Sequence, residues 1–256
     1  MVIPHRQYLL FLSILFLTVW IVLAIEPLSR HDWALENVLI AGAVIILIVS
    51  YKYFVLSRIS YTLIFIFLCL HEIGAHYTYA EVPYNSWFQA FTGHSFNELV
   101  GWERNNFDRV IHFCYGLLLA YPLREVFIRV VDVRGFWGYF LPMDLTMSTS
   151  MLYELIEWGA AIWFGGDLGM EFLGTQGDIW DSHKDMALAS LGALTAMTFT
   201  ALLNIYLQRD FAREWAESLQ VKHAEPLGED EIKRLMQERS TSNQSKTVSN
   251  SSGQYR

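Results

Sequence analysis

The residues with the most chemical capacity fall in four short stretches, each where polar groups meet an apolar run. FLGTQGDIWDSHKD (Phe172–Asp185) carries Asp178, Asp181 and Asp185 at i, i+3 and i+7, one stripe on a helix, with His183 and Lys184 between them. YELIEW places Glu154 and Glu157 within one turn of each other. FDRVIHFCYG sets Asp108, His112 and Tyr115 at i, i+4 and i+7. In HEIGAH, Glu72 and His76 share a helical face, while His71 points elsewhere. That spacing is one residue longer than the zinc-protease H-E-x-x-H, so it cannot put both histidines on one face of a regular helix.

Carboxylates gathered at close range need a compensating charge, supplied by protons or by a divalent cation. An oxygen-rich set with one or two imidazoles suits Mg²⁺, Mn²⁺, Zn²⁺ or iron without selecting among them. A metal held there would activate water against a lipid-linked ester or phosphate. Without one, the same groups suit a proton relay or the passage of a polar substrate. The candidate catalytic residues are Glu72, His112, Glu154 and Glu157, and the candidate metal ligands are His76, Asp108, Asp178, Asp181 and Asp185. No motif for an organic cofactor accompanies them; a divalent metal is the cofactor these residues leave open.

Each cluster also has a structural account. Asp178 after Gly177, followed by Asp181, has the spacing of a helix N-cap with an acidic third residue, although Asp185 lies too deep to cap. Asp108 and Arg109 could form a surface pair at a helix entrance. Glu154 or Glu157 could pair with Arg109 or Lys184 as a lock between helices, and His71 could be a satisfied interface histidine.

The elements that must position these groups are membrane helices. Of the 256 residues, 53% are hydrophobic and only 17% charged, and the mean hydropathy is +0.26, which together describe a polytopic membrane protein. An ionised side chain at the bilayer centre costs about 2.5–3.5 kcal/mol on insertion scales, so charges kept near that depth need a reason. The net charge of −8 argues against nucleic acid as a partner. Cys69 and Cys114 each lie inside an apolar run and form no zinc-type spacing.

The expected fold is all-α, a polytopic bundle of about six transmembrane helices over residues 1–207. The spans are Tyr8–Ile25, Ala34–Ser50, Ser57–Ala75, Val110–Ile128, Trp137–Trp163 and Met186–Leu207. Tyr8–Ile25 is too long for a signal-peptide core and lacks a cleavage site, so it is read as a retained helix. The fifth span contains Pro142 and Asp144, so a kink is expected there. With the N-terminus inside, 14 of the 18 basic residues fall on the inner side, which places both termini in the cytoplasm. All four polar stretches then meet at the outer face. The aromatic loop Tyr77–Phe107 is expected to lie on the membrane surface. Residues 208–256 read as a polar cytoplasmic tail, with a short helix near Glu229–Arg239 and a disordered end rich in Ser, Asn and Gln.

Four motifs carry a resemblance: H-E-x-G-x-H-Y-T-Y, N-x-F-D-R-x-x-H-F, Y-E-x-x-E-W and F-L-G-T-Q-G-D-x-W-D-x-x-K-D. They resemble the YjdF-like family of bacterial inner-membrane proteins over about residues 8–207. More distantly, D-R-x-x-H-F, a Glu-bearing helix and an Asp-bearing helix start are similar to VanZ-like membrane proteins, although Glu157 stands where those usually have Gln. The resemblance implies a multi-pass protein of the inner membrane and names no reaction. Three functions follow from the residues. One is a metal-assisted enzyme on a lipid or envelope precursor, the second a small transporter or proton-coupled permease, and the third a non-catalytic membrane partner protein.

Overall fold

The structure is a computed structural model describing residues 3–165, 176–207, 210–222, 228 and 231–241. The described residues form helices and no strand. Residues 172–175 of the opening motif, and the chain after residue 241 for which disorder is expected, lie outside them.

Six long helices carry the fold: α1 (His5–Leu23), α2 (Arg30–Tyr51), α3 (Arg58–His76), α6 (Phe107–Val130), α7 (Trp137–Phe164) and α8 (Asp181–Leu207). Two short helices, α4 (Tyr84–Thr92) and α5 (Phe96–Val100), lie in the long loop between α3 and α6. Ser29 and Ser57 accept the amides of Asp32 and Ser60 at 3.3 and 3.2 Å and start α2 and α3, as N-cap serines do. Glycines in the left-handed conformation, Gly93 at φ 78° and Gly101 at φ 72°, end α4 and α5.

Five of the long helices are long and apolar enough to cross a membrane. The sixth expected span, α7, has the length at 28 residues but interrupts its apolar run with Asp144, Thr146, Thr149, Ser150, Glu154 and Glu157. Thr146, Ser150 and Glu154 are buried, so part of that polarity faces protein.

α6 is the centre of the bundle, packing on α3, α7 and α8, while α1 and α2 pack on α3. The tightest seam joins α6 and α8. A Cβ on Gly116 would overlap the Ala189 carbonyl oxygen, and one on Gly192 would overlap that of Phe113. With Ala120, Ala189, Ala193 and Ala196 buried along it, this is the small-residue packing that lets membrane helices approach backbone to backbone.

One end of the bundle is where α1, α3 and α7 finish and α2, α6 and α8 begin. His76 marks it, with Nδ1 2.7 Å from the Leu23 carbonyl of α1. At the opposite end, Glu125 of α6 accepts the Ser57 amide at 2.8 Å and an Arg129 donor at 2.5 Å.

The first compact unit runs to Ser218, beyond the boundary read at Leu207. Its last helix, α9 (Phe211–Ser218), sets the Trp215 ring edge-on to Phe136 and tilted against Tyr139, and Trp137 donates to the Ser218 carbonyl at 3.0 Å. The second unit, from Leu219, contains a helix over residues 231–241, α10, in which Arg234 pairs with Glu231 at 2.8 Å.

Candidate functional site

A cavity of about 370 Å³ opens among α2, α3, α6, α7 and α8 at the end marked by His76. Each helix supplies one face. Asp32, Glu36, Leu39, Ile40 and Ala43 of α2 recur at helical spacing, as do Asp108, Ile111, His112, Tyr115 and Leu119 of α6. α3 gives Phe67, Leu68 and His71, α7 gives Tyr153, Glu154 and Glu157, and α8 gives Asp181, Ser182 and Asp185. The loop Thr78–Ala80 roofs it.

On one side lie two overlapping clusters. In the first, ligand atoms of His112, Glu154 and Asp185 are all within 4.8 Å of one another; in the second, those of Asp108, Asp181 and Asp185 are. Asp185 belongs to both. His112 Nε2 lies 3.5 Å from Glu154 Oε1. Asp185 is 4% exposed and Glu154 6%, and Asp185 Oδ1 and Glu154 Oε1 have no hydrogen-bond partner. Oxygen atoms buried in this way ordinarily find one, and Asp32 Oδ1 on the α2 wall shares the lack.

At the mouth, cations hold the other aspartates. Arg109 donates to Asp178 at 2.6 Å and to Asp181 at 2.9 Å, Arg104 also pairs with Asp181, and Lys184 reaches Asp178 at 2.5 Å. Asp178 Oδ1 accepts the Trp180 amide at 3.0 Å, an Asx turn three residues ahead of the first helical residue, Asp181, instead of the N-cap expected there. The Lys184 ammonium, the Trp180 amide and Arg109 hold the Asp178 carboxyl well below the usual carboxylate range. The lock between helices therefore forms on Asp178 and Asp181 instead of on Glu154 or Glu157.

On the other side, Tyr79, His71, Glu36 and Tyr153 make a chain. Tyr79 Oη lies 2.5 Å from His71 Nδ1; His71 Nε2 lies 3.6 Å from Glu36 Oε2, which also accepts from Tyr153 at 3.4 Å. Burial pushes the Tyr79 hydroxyl well above the usual phenol range, so it stays a neutral phenol against the imidazole.

The structure thus brings together Asp108, His112, Glu154, Glu157, Asp181 and Asp185 of the sequence candidates. Asp178 stands at the mouth. Glu72 and His76 face away. His76 bonds to α1, and Glu72 is fully buried beside Asn37 and Trp33. The sequence reading missed Asp32, Glu36, Tyr79 and Tyr153 and left His71 as an interface residue. The signal for Glu36 was available: an ionisable group inside a long apolar run.

A helical bundle whose membrane-crossing helices enclose a charged cavity defines a multi-pass integral membrane protein, and the bilayer is its immediate partner. The chain belongs to the family described as Predicted membrane protein (DUF2238), which matches residues 8–206. It is 37% identical over 199 residues to inner membrane protein YjdF of Escherichia coli (strain K12), covering 76% of this chain and 91% of that protein. It is accordingly a multi-pass protein of the inner membrane. These matches support the first of the two sequence resemblances. No solved structure matches the chain.

Proposed function

We propose that the cavity is a divalent-metal site of an enzyme acting on a lipid or lipid-linked envelope precursor at the outer face of the inner membrane. The observation that carries this reading is Asp185, shared by two sets of closely spaced ligand atoms, with one buried oxygen that no donor satisfies. His112, Glu154 and Asp185 would supply one nitrogen and two oxygens, and Asp108 and Asp181 further oxygens, a set suited to Mg²⁺, Mn²⁺, Zn²⁺ or iron. A bound ion would supply a Lewis acid and an activated water. Glu157, one turn from Glu154 on α7, would accept the water's proton once the ion's charge favoured its anion. The outer placement follows from the distribution of Lys and Arg, with both termini cytoplasmic.

Metal analysis of the detergent-purified protein after separate exposure to each ion tests this. Binding near one ion per chain in the wild type, lost in Asp185→Asn, supports it. A wild type that stays metal-free after every supplement overturns it. A proton-coupled permease is the second reading, favoured by the Tyr79–His71–Glu36–Tyr153 chain, which reaches from the roof of the cavity across to α7. Proton uptake by proteoliposomes that is lost in Glu36→Gln would favour it over the enzyme.

A further inference from the structure

The walls of the cavity form a ring that is closed on three sides. α2 packs on α3, α3 on α6, and α6 on α7 and α8, but among the described residues no comparable packing joins α7 to α2. Among the described residues, the hydrogen bond from Tyr153 to Glu36 at 3.4 Å spans the fourth side. The residues flanking that gap line the cavity and also face outward: Leu39 is 41% exposed, Leu152 54% and Ile156 50%. Leu39 belongs to α2, one of the five helices apolar enough to cross a membrane, and Leu152 and Ile156 to the 28-residue α7, so the gap is flanked on both sides by exposed apolar side chains on helices of bilayer-spanning length. The bundle end is more obstructed, since Thr78–Ala80 roofs the cavity and the Arg104, Arg109 and Lys184 ion pairs stand at its mouth.

We infer that the cavity is entered sideways from the bilayer through the α2–α7 gap, and that its occupant is a membrane lipid. The acyl chain lies along Leu39, Ala43, Leu152 and Ile156, while the head-group ester or phosphate reaches His112 and Asp185. This deepens the proposed enzyme reading and rests on it for the chemistry of the head-group end. The dimensions fit that division. About 370 Å³ is near the lower end of ligand cavities, roughly 300–1,000 Å³, and holds a head group with part of a chain. The rest of the lipid stays in the membrane, which only a lateral opening permits. A water-soluble substrate would need no apolar side entrance.

The test places the full chain in phosphatidylethanolamine–phosphatidylglycerol vesicles containing a phosphatidylglycerol with a mid-chain diazirine, followed by irradiation and peptide mapping. Labelling at Leu39–Ala43 and Leu152–Ile156 is expected to exceed that of the outward α1 residues Ile14 and Ile21 by at least about tenfold, equivalent to about 1.4 kcal/mol of preferential occupancy. Filling the gap with Leu152→Trp and Ile156→Trp should remove that excess while leaving metal content unchanged. Label spread evenly over α1, α2 and α7 in the wild type overturns the inference, whether or not the filled variant folds. Metal bound with even labelling sinks the lateral route alone; focused labelling without metal sinks the enzyme reading alone.

Discussion

The hydroxyl of Tyr79 lies 2.5 Å from Nδ1 of His71, eight residues earlier in the chain, and that bond fastens the cavity's roof to its wall. Tyr79 reaches it from a left-handed backbone, φ 53°, directly after Thr78 at φ 55°. Such conformations are uncommon for side-chain-bearing residues and persist where the surroundings hold them. Gly74 provides the space, since a Cβ there would overlap the Tyr79 ring. The H-E-x-G-x-H-Y-T-Y motif is therefore better described as a fold-back than as a ligand pair.

Removing that bond should loosen the roof. Tyr79→Phe leaves a buried imidazole nitrogen without its hydrogen-bond partner, a loss of about 1–3 kcal/mol. Gly74→Ala should lower stability by displacing the same ring. The thermal unfolding midpoint in detergent measures both, and a Tyr79→Phe protein as stable as wild type would refute the role of the bond.

The sequence carries the α6 stripe Asp108–His112–Tyr115 and the α8 stripe down to Asp185 without any structure, because polar residues at helical spacing in an apolar run must share a face. It does not carry the rotation of α3. An apolar helix gives no sign of which face meets the bundle, and HEIGAH offers polar groups on two faces. Glu72 with His76 makes the tidier pair, yet His71 is the residue turned to the cavity. Glu36 is visible in the sequence as a single acid in α2, but its partners come from α3 and α7. Its role is a tertiary fact.

The ion pairs at the mouth differ sharply in expected worth. Asp181 is 3% exposed and held by Arg104 and Arg109, so Arg109→Gln leaves a buried charge short of a partner and should lose about 3–5 kcal/mol. Arg134 and Asp132 pair at 3.5 Å with both side chains largely exposed, and Arg134→Gln should lose no more than about 1 kcal/mol. Denaturation of the two variants side by side checks this. Equal losses would mean the mouth network is solvated.

Acid should weaken the start of α8 through Asp178. Its carboxyl titrates below the ordinary range because Lys184, the Trp180 amide and Arg109 favour the anion. A depressed folded-state value contributes stability that is present above the unfolded value, about 3.9, and is lost as pH falls through the folded one. Wild type should therefore be more stable than Asp178→Asn at neutral pH. The gap should begin to close only below about pH 4. A gap that is constant down to that pH and below it would exclude this carboxylate as the source.

The α6–α8 seam sets the spacing of the acidic cluster, because Asp108 rises from one helix and Asp181 and Asp185 from the other. Gly192 meets the Phe113 carbonyl and the Leu117 amide, both backbone atoms that cannot swing aside. Gly192→Val must push the helices apart, losing about 1–3 kcal/mol from overpacking and widening the gap between Asp108 and Asp185. Gly159 of α7 has nothing within 4 Å of its Cβ position. Gly159→Ala should therefore leave stability unchanged or raise it by about 0.5–1 kcal/mol through helix propensity. Thermal unfolding separates the two glycines, and metal titration of Gly192→Val tells packing from ligation. If that variant binds metal as the wild type does, Asp108 and Asp185 do not hold the ion together.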